Sequence, residues 1–478
     1  MNWKMIIQTL GRMMLAEAGL LLLPAMVAVI YNETCFWSIL ITIGIALVIG
    51  LPLCLFIRPK NTAIYAKEGF MIVFLAWIAV SLVGALPFFL SGEIPNYIDA
   101  LFETVSGFTT TGASILTNVE AMSHGLLFWR SFTHWVGGMG VLVFIMAILP
   151  SVSGRPIHIM RAEMPGPIID KMVPRGKDTA KILYLIYIGM TLVEVVLLVC
   201  GEMDLFESLV HAFGTAGTGG FGVKADGLSG YSPYTQWVIS IFMLLFGVNF
   251  NLYYLLLIRR FRTVFRNTEL ITYGSIILGS VVLIMSNIYP YYHNFEQALR
   301  HAVFQVSSIM TTTGYATVDF NIWPQFSKML LLILMIVGAC AGSTAGGLKV
   351  SRVVILFKII RRECRRMLHP RSVNTVTMDE KELDDQTLVG VGGYFAVYFI
   401  CMVVIFLILS LDSLSMQTNI SATVSCFNNI GPALDVAGPM GSYASYSALS
   451  KITLTLAMLF GRLEIYPLLL LPALFKKR

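Results

Sequence analysis

Charge is scarce in this chain. Asp, Glu, Lys and Arg make up 13% of its 478 residues, against 56% hydrophobic residues. An average soluble protein carries about 25% charged residues, and a water-soluble globule of this size could not cover its surface with so few. Paired cysteines are missing too. Cys35, Cys54, Cys200, Cys340, Cys364, Cys401 and Cys426 stand singly, most of them in apolar stretches, and no CxxC occurs. This excludes a disulfide framework and a metal knuckle. The seven histidines have no ligand spacing. No nucleophile–base pair stands out and no GxGxxG follows a strand pattern, so neither an enzyme nor a nucleotide-binding chain is read here. Nucleic-acid motifs are likewise lacking, and the basic clusters sit at the edges of apolar runs.

Long apolar runs are what the chain has. Mean hydropathy is +0.77, and stretches such as 36–56, 69–90 and 329–348 exceed the ~18 residues that mark a spanning helix. The fold class expected is an all-α polytopic membrane protein with about ten spans, at 12–31, 36–57, 69–91, 126–150, 180–201, 235–259, 269–289, 327–361, 388–411 and 452–474. The first stretch lacks a small-residue cleavage site and runs on toward a second span, so it is read as a retained helix rather than a signal peptide. Of the 33 Lys and Arg, 27 fall on one side of this arrangement, including Arg58, Arg155, Arg259, Arg361 and Lys476. Only Arg130, Lys224, Arg300, Lys328 and Lys451 fall on the other. The positive-inside rule then places both termini in the cytoplasm, as an even number of spans requires.

Four shorter segments, near 96–108, 203–217, 294–310 and 415–427, are too short to span and suit re-entrant half-helices. Each runs into a polar, glycine-bearing string: 108–113 (FTTTGA), 218–222 (TGGFG), 311–315 (TTTGY) and 428–432 (NNIGP). Gly112, Gly220, Gly314 and Gly431 are spaced by 108, 94 and 117 residues. The unit of helix, half-helix, string and helix therefore recurs four times in one orientation after two extra helices, as parallel repeats about a pseudo-fourfold pore along the membrane normal. The corresponding divisions are 1–65, 66–155, 156–266, 267–385 and 386–478. Non-helical backbone at membrane depth is tolerated where it lines a watery path or lies within protein. Carbonyls turned inward can replace a cation's hydration shell, and the half-helix C-termini add partial negative charge.

These strings, with 341–349 (AGSTAGGLK) and 461–464 (GRLE), resemble the Trk/Ktr/HKT superfamily of K⁺ transporters. Within it they resemble the membrane subunits of bacterial Trk systems, over essentially the whole chain. The resemblance implies a K⁺ filter at Thr110, Thr111, Gly112, Gly219, Gly220, Thr313, Gly314, Ile430 and Gly431. Gly112 implies K⁺ rather than Na⁺ preference, since serine there accompanies Na⁺ passage in the superfamily. It further implies residence in the bacterial inner membrane, a homodimer with one pore per subunit, and a cytoplasmic nucleotide-binding regulatory subunit. No cofactor is expected on this chain, with K⁺ the transported ion. A K⁺ symporter coupled to H⁺ or Na⁺, or a Na⁺-permeable relative, is the alternative reading.

Two features beyond the strings stand out. As one helix, 327–361 would be roughly 52 Å long, well beyond a ~30 Å hydrocarbon core. Gly338, Gly342, Ser343, Thr344, Gly346 and Gly347 interrupt it. They form either a loop obstructing the pore, as the resemblance implies, or a small-residue packing face on a continuous helix. Arg462 lies near mid-span, where a cation is costly and usually functional. By resemblance it is a pore arginine; otherwise it is a structural partner of Glu464 or Glu103. His134 and His211, near the strings, are read as hydrogen-bonding residues. The basic run 361–371 is either a lipid-headgroup anchor or a docking face for a regulator.

Overall fold

The structure is a computed structural model that describes residues 2–57, 59, 66–140, 176–370, 374–379, 381–463 and 465. The inner parts of the expected fourth and tenth spans (141–150 and 466–474), the repeat boundary at 155/156, Glu464, and Arg58, Arg155, Arg371 and Lys476 lie outside the described residues.

In chain order the helices are α1 (Trp3–Leu20), α2 (Leu22–Ile30), α3 (Cys35–Leu55), α4 (Ala66–Gly84), α5 (Leu86–Ser91), α6 (Tyr97–Phe108) and α7 (His124–Gly138). Then come α8 (Gly176–Val199), α9 (Leu205–Gly217), α10 (Pro233–Phe246), α11 (Phe250–Leu257), α12 (Phe261–Phe265), α13 (Thr268–Tyr292) and α14 (Phe295–Met310). Last are α15 (Gln325–Val337), α16 (Val350–Leu368), α17 (Asp385–Leu409), α18 (Met416–Phe427) and α19 (Ala448–Leu463). Strands are confined, among the described residues, to a hairpin of Thr377–Met378 with Lys381–Glu382. Six helical stretches among the described residues are long and apolar enough to cross a membrane, or seven if α10 and α11 count as one bent span. Val48, Leu192, Leu278 and Leu407 stay exposed on these helices, as lipid-facing side chains do.

Three expected spans differ in detail. The first begins at Trp3 rather than near residue 12, because α1 and α2 form one 28-residue stretch. In its first turns the Gln8 amide donates to the Ile57 carbonyl at 2.9 Å. The span expected at 235–259 is broken, with α10 and α11 meeting at 90°. Asn249 caps α11, its side chain accepting from the Asn251 amide at 2.9 Å, so the chain restarts a helix in a new direction. The span at 327–361 is interrupted between Val337 and Val350, which removes the reading of 338–347 as a packing face on a continuous helix.

The four short helices fall where the sequence puts them, and each has a side-chain cap. Asn96 accepts from Ile98 N at 2.9 Å, Asp204 from Glu207 N at 2.7 Å, Asn294 from Glu296 N at 3.0 Å and Ser415 from Thr418 N at 3.1 Å. Such caps satisfy amides that the first helical turn leaves unpaired. The last turns of all four are buried. The two N-terminal helices α1 and α3 cross closely: a Cβ added at Gly50 would come within 3.0 Å of the Gly11 carbonyl. Small residues permit this approach.

Candidate functional site

The four strings share one backbone solution. Thr110, Thr218, Thr312 and Asn429 take left-handed φ values of 56°, 57°, 57° and 57°. Around each, the half-helix ends in the same pair of bonds. The residue after it donates five back: Thr111 to Ser106, Gly219 to Gly214 and Thr313 to Ser308, each at 2.8 Å, and Ile430 to Ser425 at 3.0 Å. The left-handed residue itself donates three back, from Thr110 to Gly107, Thr218 to Thr215, Thr312 to Ile309 and Asn429 to Cys426. This is the Schellman closure, which ordinarily places glycine at the left-handed position. Three threonines there are unusual, since a β-branched residue is disfavoured at positive φ. Two residues on, Gly112, Gly220, Gly314 and Gly431 are again at positive φ, between 77° and 98°.

The strings close on one another in chain order. A Cβ built at Gly112 would overlap the Gly219 carbonyl, one at Gly220 the Thr313 carbonyl, and one at Gly314 the Ile430 carbonyl. One at Gly431 would lie 2.6 Å from the Thr111 carbonyl, which completes the ring. The structure thus brings eight of the nine residues expected at the filter into this ring, with Thr110 the left-handed corner just before it. Sequence reasoning missed Thr218, Thr312 and Asn429, the other left-handed corners; their position two residues before each glycine was the available signal. Asn429 also joins two strings, donating to the Thr111 hydroxyl at 3.0 Å. On one side the ring borders a cavity of about 210 Å³, lined by its four glycines and by Arg130 and Tyr443.

The interruption between α15 and α16 lies against the opposite side of the ring. Gly346 N donates to the Thr312 hydroxyl at 2.7 Å, and a Cβ there would meet Asn428 O and Asn429 Cβ. Gly338, Gly342 and Gly347 take φ of 70°, 71° and 77°. The loop is seated on the bend between α10 and α11: Cys340 N donates to Gly247 O at 3.1 Å and Phe250 N to Gly342 O at 3.0 Å. Thr344 Oγ1 adds a bond to Phe246 O at 3.3 Å, while the Ser343 hydroxyl bonds within the loop to Cys340 O at 2.6 Å. Glu269, in the first turn of α13, holds both ends, accepting from Ala341 N at 2.7 Å and Ser351 N at 3.0 Å. Sequence reasoning did not single out Glu269.

Arg462 reaches the same loop from α19. It donates to Thr344 O at 2.8 Å and to Gly137 O and Gly138 O at 2.6 Å each. Glu103, one carboxylate considered as its partner, is instead bonded to Arg130 at 2.6 Å, and Glu464 is outside the described residues. His134 and His211 are buried behind the second string and bond backbone carbonyls, Gly107 O at 2.7 Å and Glu207 O at 2.8 Å. No group of His, Cys, Asp and Glu among the described residues is arranged to hold a metal ion.

The sequence model of a family described as cation transport protein, TrkH, matches residues 38–271 and 291–476. The chain belongs to the TrkH family. It is 36% identical to the Trk system potassium uptake protein TrkH of Escherichia coli K12 over 482 residues, 98% of each chain. It is 33% identical to TrkH of Halomonas elongata, covering 100% of both, and 31% identical to TrkG of E. coli K12, covering 94% and 93%. The crystal structure of the potassium transporter TrkH from Vibrio parahaemolyticus superposes with a TM-score of 0.89 at 30% identity, over 100% of both chains. The chain is accordingly a membrane ion transporter of the Trk potassium uptake family and not an enzyme.

Proposed function

We propose that this chain carries K⁺ across the bacterial inner membrane through the ring formed by the four strings. The observation that carries the reading is the closed succession of glycine against carbonyl from Gly112 to Gly219, Gly220 to Thr313, Gly314 to Ile430 and Gly431 to Thr111. Carbonyls gathered at one level can stand in for water around a dehydrated cation. Four half-helices end at that level and direct their partly negative C-termini toward it. The path divides the chain into two leading helices (1–65) and four repeats (66–155, 156–266, 267–385 and 386–478), with both termini cytoplasmic.

The loop from Gly338 to Gly347 is the obstruction below the filter and Arg462 its tether. Five bonds tie it to the ring, the α10–α11 bend and Arg462, so its displacement requires their exchange. A cytoplasmic nucleotide-binding subunit supplies the displacement, and the transporter works as a homodimer with one path per subunit. The K⁺ cargo is supported by the relatives' names as Trk system potassium uptake proteins. Coupled symport is the second reading, favoured by Glu17 and Glu194, which are buried within spanning helices; intramembrane carboxylates often serve proton paths.

The test is Rb⁺ uptake by the purified protein in liposomes under separate K⁺, Na⁺ and H⁺ gradients, with and without the cytoplasmic partner. Uptake that follows the K⁺ gradient alone supports the conducting path. Uptake that needs an imposed H⁺ or Na⁺ gradient would replace it with symport.

A further inference from the structure

We infer that the buried pair Glu103–Arg130 is a brace joining the first string to the second, and that it positions the filter for ion selectivity. The inference rests on the filter reading above. Glu103 and Arg130 are 1% and 4% exposed, and Arg130 Nε donates to Glu103 Oε1 at 2.6 Å. The carboxylate's other donors both come from the residues that leave the first string: Ser114 Oγ at 2.9 Å to Oε1 and Ile115 N at 2.9 Å to Oε2. The guanidinium reaches the residues that leave the second. Its Nη1 donates to Gly222 O at 3.2 Å, and its carbon lies 3.5 Å from the centre of the Phe221 ring. Ser131, beside it on α7, donates to Phe221 O at 3.3 Å. One ion pair therefore fixes where two neighbouring strings emerge.

Two other junctions are built differently. Between the second and third strings, Tyr315 Oη donates to Phe221 O at 3.0 Å and to His211 O at 3.2 Å. Between the fourth and first, Tyr443 Oη donates to Gly431 O at 2.7 Å while its amide donates to Ser114 O at 2.9 Å. The position nine residues before the ring glycine, Glu103 in the first repeat, is His211, Gln305 and Ala422 in the others. Of these three junctions, an ion pair links the exits of the strings themselves at the one that contains Gly112 and Gly219. A charge-assisted bond is shorter and stiffer than a neutral one. The carbonyl spacing that separates K⁺ from a smaller ion is most rigidly set there.

The experiment measures the ratio of Na⁺ to Rb⁺ uptake per folded protein in liposomes. Glu103→Gln keeps the side chain's shape and one acceptor oxygen, replaces the other acceptor by an NH2 donor, and removes the charge facing Arg130. It should raise the ratio roughly tenfold, the equivalent of about 1.4 kcal/mol between the two ions. Ser114→Ala removes one string-side donor with little threat to folding and should move the ratio in the same direction, less far. Lys451→Gln breaks a part-buried ion pair, with Asp99 at 2.7 Å, and should lower thermal stability while leaving the ratio where it was. A purely structural role for Glu103 would give that same stability-only result in its variants. If Gly112→Ser changes the ratio and neither Glu103→Gln nor Ser114→Ala does, the brace is overturned and the filter stands. If none of the three changes it, the filter reading falls as well.

Discussion

The hydroxyl of Thr312 accepts the amide of Gly346 at 2.7 Å, so the left-handed corner of the third string and the interruption of the following helix are joined by one buried hydrogen bond. The same threonine closes the end of its half-helix through its backbone. The ring of strings and the loop after α15 are therefore mechanically continuous at this point.

Thr312→Val keeps the side chain's volume and deletes the acceptor. An unsatisfied buried amide costs about 1–3 kcal/mol, and the penalty falls on the docked position of the loop. Basal Rb⁺ uptake without the cytoplasmic partner should rise severalfold, while the melting temperature falls only slightly. A lower uptake per folded protein would mean that the loop does not obstruct the path.

Gly112→Ser places a Cβ against the Gly219 carbonyl at a φ of 77°. The left-handed backbone alone costs an L-residue about 1–2 kcal/mol, and the overlap forces the first two strings apart. The expected result is a loss of K⁺ over Na⁺ preference with a modest drop in stability, read from paired Rb⁺ and Na⁺ fluxes and a thermal melt. Unchanged selectivity in a folded variant would remove Gly112 from the filter.

Arg462→Ala removes the bonds to Thr344, Gly137 and Gly138 and, on the proposed reading, a positive charge beside the ion path. Two unit charges ~6 Å apart repel by roughly 3 kcal/mol at an effective dielectric of ~20, about a hundredfold in rate if the whole effect falls at the barrier. Uptake normalised to folded protein should increase. A decrease that tracks the loss of folded protein would assign Arg462 to packing alone.

Asp435 offers a pH test outside the membrane-spanning helices. Hydrogen bonds from the hydroxyls of Ser415, at 2.5 Å, and Thr418, at 2.7 Å, hold its carboxyl below the ordinary aspartate range. A lowered folded value means that the stabilisation is complete above the unfolded value near pH ~3.9 and is lost as pH falls through the folded one. Because Ser415 caps α18, protonation loosens the start of the fourth half-helix. The melting temperature of the native protein should exceed that of Asp435→Asn at pH 7, and the gap should close on acidification below pH ~4. A gap independent of pH would show that the carboxylate's charge is immaterial.

The half-helices were legible almost to the residue. The expected segments 96–108, 203–217, 294–310 and 415–427 stand beside Tyr97–Phe108, Leu205–Gly217, Phe295–Met310 and Met416–Phe427. Their caps and terminal strings are local signals. The 90° turn at Asn249 was hidden, because hydropathy measures composition and not chain direction. Threonines at left-handed corners run against backbone preference, and only the closing ring accounts for them. Glu103 was visible as a possible carboxylate partner of Arg462, but its choice of Arg130 instead depends on distances that a linear reading lacks.

The interruption after α15 and the bend after α10 have a joint consequence for how such chains vary. Each break strips amides and carbonyls of their helical partners at a depth where water is scarce. Cys340 N on Gly247 O, Phe250 N on Gly342 O and Thr344 Oγ1 on Phe246 O match part of one deficit to the other. Straightening either helix alone would strand the donors and acceptors of its counterpart. Two sites roughly ninety residues apart are thus energetically coupled, and a substitution that straightens the chain at Gly247 would be felt at Cys340, Gly342 and Thr344.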